Sequence, residues 1–540
     1  MIDMSIKTKL DTKDFVLFLV LVSFLLTVVY YWDKTWDDSA ITLSFSRNLI
    51  KYGDIIPSQF SDRVEGYSTF LWMIINAAFF KLGFGEKIVL TTAKYVSTIL
   101  SLVNILLFWH LVQEKIVQRF YQYTILILYA INLQTVTSAT FGMETALYAF
   151  LVLISYILYQ NRNRSWSTYI TLTVTTSLLI LIRHEGLLFL IPFVIETYRN
   201  NPKRFLREPF LYFWGLVFLA YHIWHFTYFG ELLTNPMIAK RQLPYFPELN
   251  SPESWLTYYL APFFRIVSLY PFLFILLGFR FVFFRNHKVS NTDKSSLMLG
   301  IALTGMFIML ITGKSWNADA DRLSYPALAF LLLIAAQYLD GFSFKEIPHK
   351  SQFILISIIW VGIAINSIAT YQSFITDLRF DITVKDVEKR ARLETLIREY
   401  IPLTHITLAS PDMGGLLLFY GDGIRVIDLG LLCNQKLAKQ GYEALNTYVL
   451  TEEKPEIIEI QGIWITPFAN SNMFYANYMP VKIVDKNEDL FIFIRNDLIK
   501  NLERQRNASK IQLKYDANLQ EDIAVLLKKY QYYLTITFAN

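Results

Sequence analysis

The chain has a single cysteine, Cys433, in 540 residues. One thiol excludes an intramolecular disulfide framework and any cysteine-rich metal site, and it leaves the redox compartment open. Charge is scarce as well. Only 18% of residues are Asp, Glu, Lys or Arg, and a net charge of +5 is too small for this length to suggest a nucleic-acid partner. No internal repeat is visible. The segment "SPDMGGLLLFYGDGIRVIDLG" (410–430) reads as strand end, glycine turn, helix and second strand, but it lacks the spaced glycines of a dinucleotide fingerprint.

Apolar residues are abundant instead. They make up 54% of the chain, with 16% aromatic, and they gather in blocks too long for a soluble core. This is the pattern of an α-helical polytopic membrane protein. Windows of about 20 apolar residues suit a helix crossing the hydrocarbon layer. They occur at 14–32, 88–112, 122–139, 145–160, 168–182, 186–197, 208–228, 257–284, 296–312, 323–339 and 352–372, so about eleven spans are expected. The short 186–197 run suits a broken or re-entrant hairpin. The N-terminal run exceeds a signal-peptide core and lacks a small-residue cleavage site, so it reads as a retained first span.

The segment "GYSTFLWMIINAAFFKLG" (66–83) decides the orientation. If it lies along the interface as an amphipathic juxtamembrane helix, the inner loops collect Lys115, Arg119, Arg162, Arg164, Lys203 and Arg285 among others. The short outer loops then keep only Arg183, Lys240, Arg241, Lys314 and Arg322. The positive-inside bias favours that arrangement, with the N-terminus inside and the C-terminus outside. Residues 1–375 are thus expected to form the transmembrane domain, with juxtamembrane helices in the first outer loop at about 33–87. From 376 the composition changes to charged helical and short β-branched runs ("HITLAS", "GIRVIDLG", "PEIIEIQG", "DLFIFIRND"), which predict an exterior soluble α/β domain over 376–540. The aromatics Trp464, Phe468, Phe474 and Tyr475 read as its core.

The outer loops hold the unusual polar groups: "WDDSAITLSFSRNL", "DRVEGYSTFLW", "TFGMETAL", "IRHEGLLF", "FGELLTNPMIAKRQ" and "GKSWNADADRLSYP". Locally, Asp37 or Asp38 could cap the helix that follows. Glu144 could be a helix N-terminal charge, Arg183 a snorkelling anchor, and His225 a helix-end residue. His184 and Glu185 sit between two apolar runs, where ionisable groups are functional candidates.

Taken in order, the acid pair with "RNL", then "VEGYSTFLW", "GMETAL", "RHEG", "LTNPMIAK", "DRLSYP", "DMGG" and "VIDLGLL" resemble the GT-C superfamily of membrane glycosyltransferases. The closest likeness is to the AftB-like branch of mycobacterial terminal arabinofuranosyltransferases. The chain departs from that branch's pattern at Ser44, Phe45 and His184 and in "LTNP", which bears on the sugar rather than the reaction class.

The resemblance implies a GT-C fold in the inner membrane with its active site facing the exterior. It implies a polyprenyl-phosphate donor of one sugar, such as a pentofuranose, and a glycan or glycolipid hydroxyl as acceptor. Asp37 and Asp38 would then be the catalytic acids, with Asp37 favoured as general base, and a divalent cation would fall to the same pair. Arg183, Lys240 and Arg322 lie in matching motifs and are the expected donor-phosphate cations. Glu65, Tyr67, Glu144, His184, Glu185 and Asn235 are the expected substrate contacts. Two other classes fit a many-span chain: a transporter or flippase, which should show repeats and broken helices at the midplane, and an oligosaccharide ligase or polymerase.

Overall fold

The computed structural model describes residues 12–203, 205–241, 251–256, 260, 296–312, 322–340, 405–411, 413–460, 462–485, 488–503, 525–526, 528–529 and 534–537. The expected spans at 257–284 and 352–372, Lys314, and the expected domain boundary at 375/376 lie outside them. The chain forms two compact units that cut across sequence order. The first takes in the described residues of Met1–Thr35, Thr91–Ala220 and Leu249–Asp381; the second takes in those of Trp36–Leu90, Tyr221–Glu248 and Ile382–Asn540.

The first unit is helical. Helix α1 runs over Thr12–Tyr30, and α4 over Glu86–Lys115, with the unit boundary falling inside it. Both are long and apolar enough to cross a membrane. Helix α1 exposes Phe18, Leu26 and Val29. Apolar side chains left out of a helix's own packing are what lipid tails would cover.

The expected span 122–139 is instead two helices, α5 (Arg119–Ile131) and α6 (Leu133–Thr140). Asn132 breaks the run: it leaves the helical region, and its side-chain oxygen accepts the Gln134 N–H at 2.9 Å, capping α6. Helix α7 (Thr145–Gln160) follows α6 at a bend of 117°. Then come α8 (Trp166–Ile182), α9 (Gly186–Asn200) and α10 (Pro209–Phe229). The sharp corner between α8 and α9 requires glycine at 186, where a Cβ would overlap the Leu179 carbonyl.

In the second unit lie α2 (Asp37–Tyr52), α3 (Phe70–Lys81) and α11 (Asn235–Ala239). Helix α3 has 12 residues and so spans about 18 Å, well short of a ~30 Å hydrocarbon layer. Helices α12 (Ser296–Thr312) and α13 (Leu328–Asp340) belong to the first unit.

The second unit is built on a six-stranded sheet of order β2-β1-β3-β5-β4-β6. Its strands are β1 Ile406–Ser410, β2 Ile424–Asp428, β3 Ile457–Ile458, β4 Tyr478–Asp485, β5 Glu488–Arg495 and β6 Leu534–Thr537. Strands β1 and β2 are parallel, joined through α14 (Gly414–Tyr420), as the glycine-turn pattern predicts. One face of the sheet packs Leu408, Ile424, Val426 and Ile492 against Ile41, Phe45, Tyr67 and Met73. Trp464, Phe468 and Phe474 lie in the core on the other side, with Tyr475 packed against it.

Candidate active site

In the second unit, five segments far apart in sequence meet around the acid pair. Helix α2 begins at Asp37, and its N-cap position, Trp36, makes no side-chain cap. The Asp37 carboxylate reaches a segment far away in sequence. Its two oxygens accept the backbone N–H groups of Gly414 (3.0 Å) and Gly415 (3.3 Å) in the "DMGG" turn. The approach needs glycine, since a Cβ on Gly414 would stand 2.7 Å from Asp37 Oδ1 and 2.9 Å from its carboxyl carbon. At the far end of α14, Arg47 of the "RNL" motif donates to the Leu418 carbonyl, and its guanidinium is steadied by Asn48 Oδ1 at 2.9 and 3.0 Å. Asn48 in turn ties down the carbonyls of Ile56 and Pro57. Gly414→Ala should therefore push α2 and α14 apart at a cost of about 1–3 kcal/mol, the usual penalty for overpacking, read as a lower melting temperature in detergent.

The "VEGY" and "LTNP" segments close on the loop after β2. Asp428 accepts the N–H groups of Gly430 (2.6 Å) and Cys433 (2.7 Å), bending the loop so that Leu431 takes a left-handed φ of 65°. Asn235 binds the carbonyls of Leu431 (3.0 Å) and Leu432 (2.7 Å), while its own N–H donates to the Glu65 carbonyl at 3.1 Å. Gly66 sits against Phe45, the Leu432 carbonyl and the Cys433 sulfur. The buried Cys433 thiol is pushed up by burial first and then by the negative charges of Asp428, Asp38 and Asp37, which places the acid pair near this loop.

Next to it, the buried Glu65 carboxyl pairs with His225 Nε2 and accepts the Tyr221 hydroxyl at 3.2 Å. His225 Nδ1 faces the Glu231 carbonyl at 2.6 Å. A carbonyl only accepts, so Nδ1 carries a proton, and the line between Nε2 and Glu65 holds one more. His225 is therefore part of a buried polar pair and more than the helix-end residue its position suggested. A histidine in an otherwise apolar helix was the signal; its partner, 160 residues away, was not readable. Tyr67 stacks edge-on to Phe45, and burial, then Glu65, push its hydroxyl well above the usual range.

The remaining expected residues meet in the first unit. Arg183, 5% exposed, donates from Nη1 to Glu144 and from Nε to Glu185 at 3.2 Å. Glu144 occupies the N-cap position of α7 without making a cap bond. Burial raises the Glu185 carboxyl, but the Arg183 charge outweighs it and holds the group at about 2. His184 lies between these two partners in sequence. Arg322 Nη1 lies 2.8 Å from the Met143 sulfur, beside Glu144 in sequence. Of the three expected phosphate cations, Arg183 has its guanidinium committed to two carboxylates. Lys240 follows α11 in the second unit.

Among the described residues no three His, Cys, Asp or Glu gather as metal ligands.

No family model and no curated protein matches the chain. Solved structures do. A crystal structure of ArnT from Cupriavidus metallidurans in the apo state is 12% identical, with a TM-score of 0.49, over 89% of this chain and 98% of that one. A crystal structure of the same protein bound to undecaprenyl phosphate is 11% identical, with a TM-score of 0.51, over 90% of this chain and 99% of that one. At that identity the likeness is one of fold, and the chain shares the ArnT fold over nine-tenths of its length.

Proposed function

We propose that the chain is an inner-membrane glycosyltransferase that moves a single sugar from a polyprenyl-phosphate donor to a hydroxyl of a glycan or glycolipid on the outer face. The observation that carries this reading is the convergence of "WDD", "VEGY", "LTNP", "DMGG" and "VIDLGLLC" in one compact unit, with the acid pair among them. The ArnT fold supports it, and the undecaprenyl phosphate in one ArnT structure supports the lipid class of the donor. The sugar is a pentofuranose such as arabinose on the strength of the sequence resemblance.

In the reaction, the acceptor hydroxyl loses its proton to a carboxylate as its oxygen attacks the anomeric carbon. The transition state is oxocarbenium-like, and the polyprenyl phosphate departs with the bonding pair. We assign the base to Asp38, with Asp37, whose carboxylate accepts two backbone amides, fixing the segment that carries it. Lys240, in the same unit as the acid pair, is the cation for the leaving phosphate. Arg183 holds Glu144 and Glu185.

The test is to give purified protein labelled polyprenyl-phosphate pentoses and hexoses with a glycan acceptor, with and without EDTA. Transfer of one sugar supports the reading; passage of the intact lipid or sugar across proteoliposomes without transfer would overturn it. Orientation is tested separately. Cys433 is buried and so silent, whereas Ile463 is exposed. Ile463→Cys should react with an impermeant maleimide on intact cells, and labelling only after lysis would place the sheet inside.

A further inference from the structure

Among the described residues, the first unit contains several buried polar atoms without a hydrogen-bond partner, and two of them, on Glu144 and Tyr148, lie on one helix. Glu144 is 1% exposed; its Oε1 pairs with Arg183, but its Oε2 has no hydrogen-bond partner among the described residues. Tyr148, fully buried, has a hydroxyl in the same condition. The two residues stand four apart at the start of α7 and so share one face of it. The Tyr148 hydroxyl lies within electrostatic reach of Glu185, Arg183 and Glu144. Native proteins leave few buried polar atoms unpaired, because each costs the full desolvation penalty, and the exceptions gather at sites that take up a ligand or a water.

The chemistry of the missing partner follows from what is there. A carboxylate oxygen only accepts, and a tyrosine hydroxyl both donates and accepts. Phosphate is repelled at Glu144 Oε2, since the cluster already holds two carboxylates on one guanidinium. An ammonium would donate to Glu144 Oε2 but has no lone pair to take the proton of the Tyr148 hydroxyl. A neutral alcohol suits both atoms: it donates to Glu144 Oε2 and accepts from Tyr148.

We propose that Glu144 and Tyr148 form a subsite for one sugar hydroxyl, with Arg183 as the positioning residue that fixes the Glu144 carboxylate. This deepens the glycosyltransferase reading and rests on it. Donor and acceptor both carry such hydroxyls. The subsite discriminates sugars by one alcohol: a site built to bond a hydroxyl rejects an analogue lacking it far more strongly than an apolar pocket rejects a size change.

The test is Tyr148→Phe, which removes only the oxygen. In the ligand-free protein in detergent the change should leave the melting temperature level or raise it, since it deletes an unsatisfied buried hydroxyl. With the polyprenyl-phosphate sugar that the wild type uses, KM for one substrate should rise about tenfold while kcat changes less. Monodeoxy donors and monodeoxy acceptors then identify the source. Against the one analogue lacking the recognised hydroxyl, Tyr148→Phe and wild type should perform alike. Glu144→Gln, which keeps an acceptor for Arg183, should show the same analogue dependence.

If Tyr148→Phe lowers the melting temperature and leaves every KM unchanged, the hydroxyl holds a structural water and the subsite is wrong. Equal losses against all deoxy compounds would also overturn it. If the wild type transfers none of the sugars, the glycosyltransferase reading fails, and that outcome is distinct from a wild type that transfers while its variants show no hydroxyl dependence.

Discussion

Asp38→Asn should reduce sugar transfer by about a hundredfold or more, the scale on which general-base loss is felt, while the protein still folds and inserts. Asparagine keeps the shape of the side chain and removes only its ability to take a proton. Asp37→Asn is expected to behave differently. One oxygen survives to accept from Gly414 or Gly415, so activity should fall less and the melting temperature should fall more, because the amide cannot serve both N–H groups as acceptor. Turnover of labelled donor and thermal unfolding, measured on the same preparations, separate the two. A dead Asp37→Asn beside a near-normal Asp38→Asn would reverse the roles, and two active variants would sink the carboxylate-base mechanism.

The second large effect concerns stability. Arg183→Leu leaves Glu144 and Glu185 side by side without their cation, one of them 1% exposed. Removing one partner of a buried ion pair costs about 3–5 kcal/mol, since the other charge stays desolvated. We expect Arg183→Leu to lower the melting temperature steeply, and Arg183→Lys to recover only part of the loss. A lysine supplies one point charge where the guanidinium reaches two carboxylates from different nitrogens. Adding Glu144→Gln to Arg183→Leu should recover part of the stability by removing the more deeply buried of the two orphaned charges; no recovery would mean that the pair is not what holds this corner together.

The helices α1, α4, α7, α8, α9 and α10 were legible because long apolar runs announce themselves through composition alone. The single run at 122–139 misled because Asn132 looks like one polar residue inside a span, and only its local bond to Gln134 reveals the break. The strands β1, β2 and β5 were equally plain from β-branched runs and turn residues. Partnership was the part that stayed hidden. Asp37 read locally as a cap for its own helix, and the amides it serves lie 377 residues downstream. All four members of the Glu65–His225 and Glu144–Arg183 pairs stood out in the sequence, but not as partners. Periodicity reports which face a residue is on, and it carries no information about which distant segment will cover that face.

The three-part make-up of the second unit has a consequence in time. Synthesis proceeds at about 5–20 residues per second. The 377 residues between Asp37 and Gly414 therefore impose a wait of roughly 20–75 s, at that rate, between the birth of α2 and the birth of the helix that it grips. Through that interval Ile41, Phe45 and Met73, destined for a dry core, have no sheet to lie against. The unit cannot mature segment by segment as the ribosome advances; it closes in one late step, and any slowing of the last third of the chain lengthens the period in which its first piece stands uncovered.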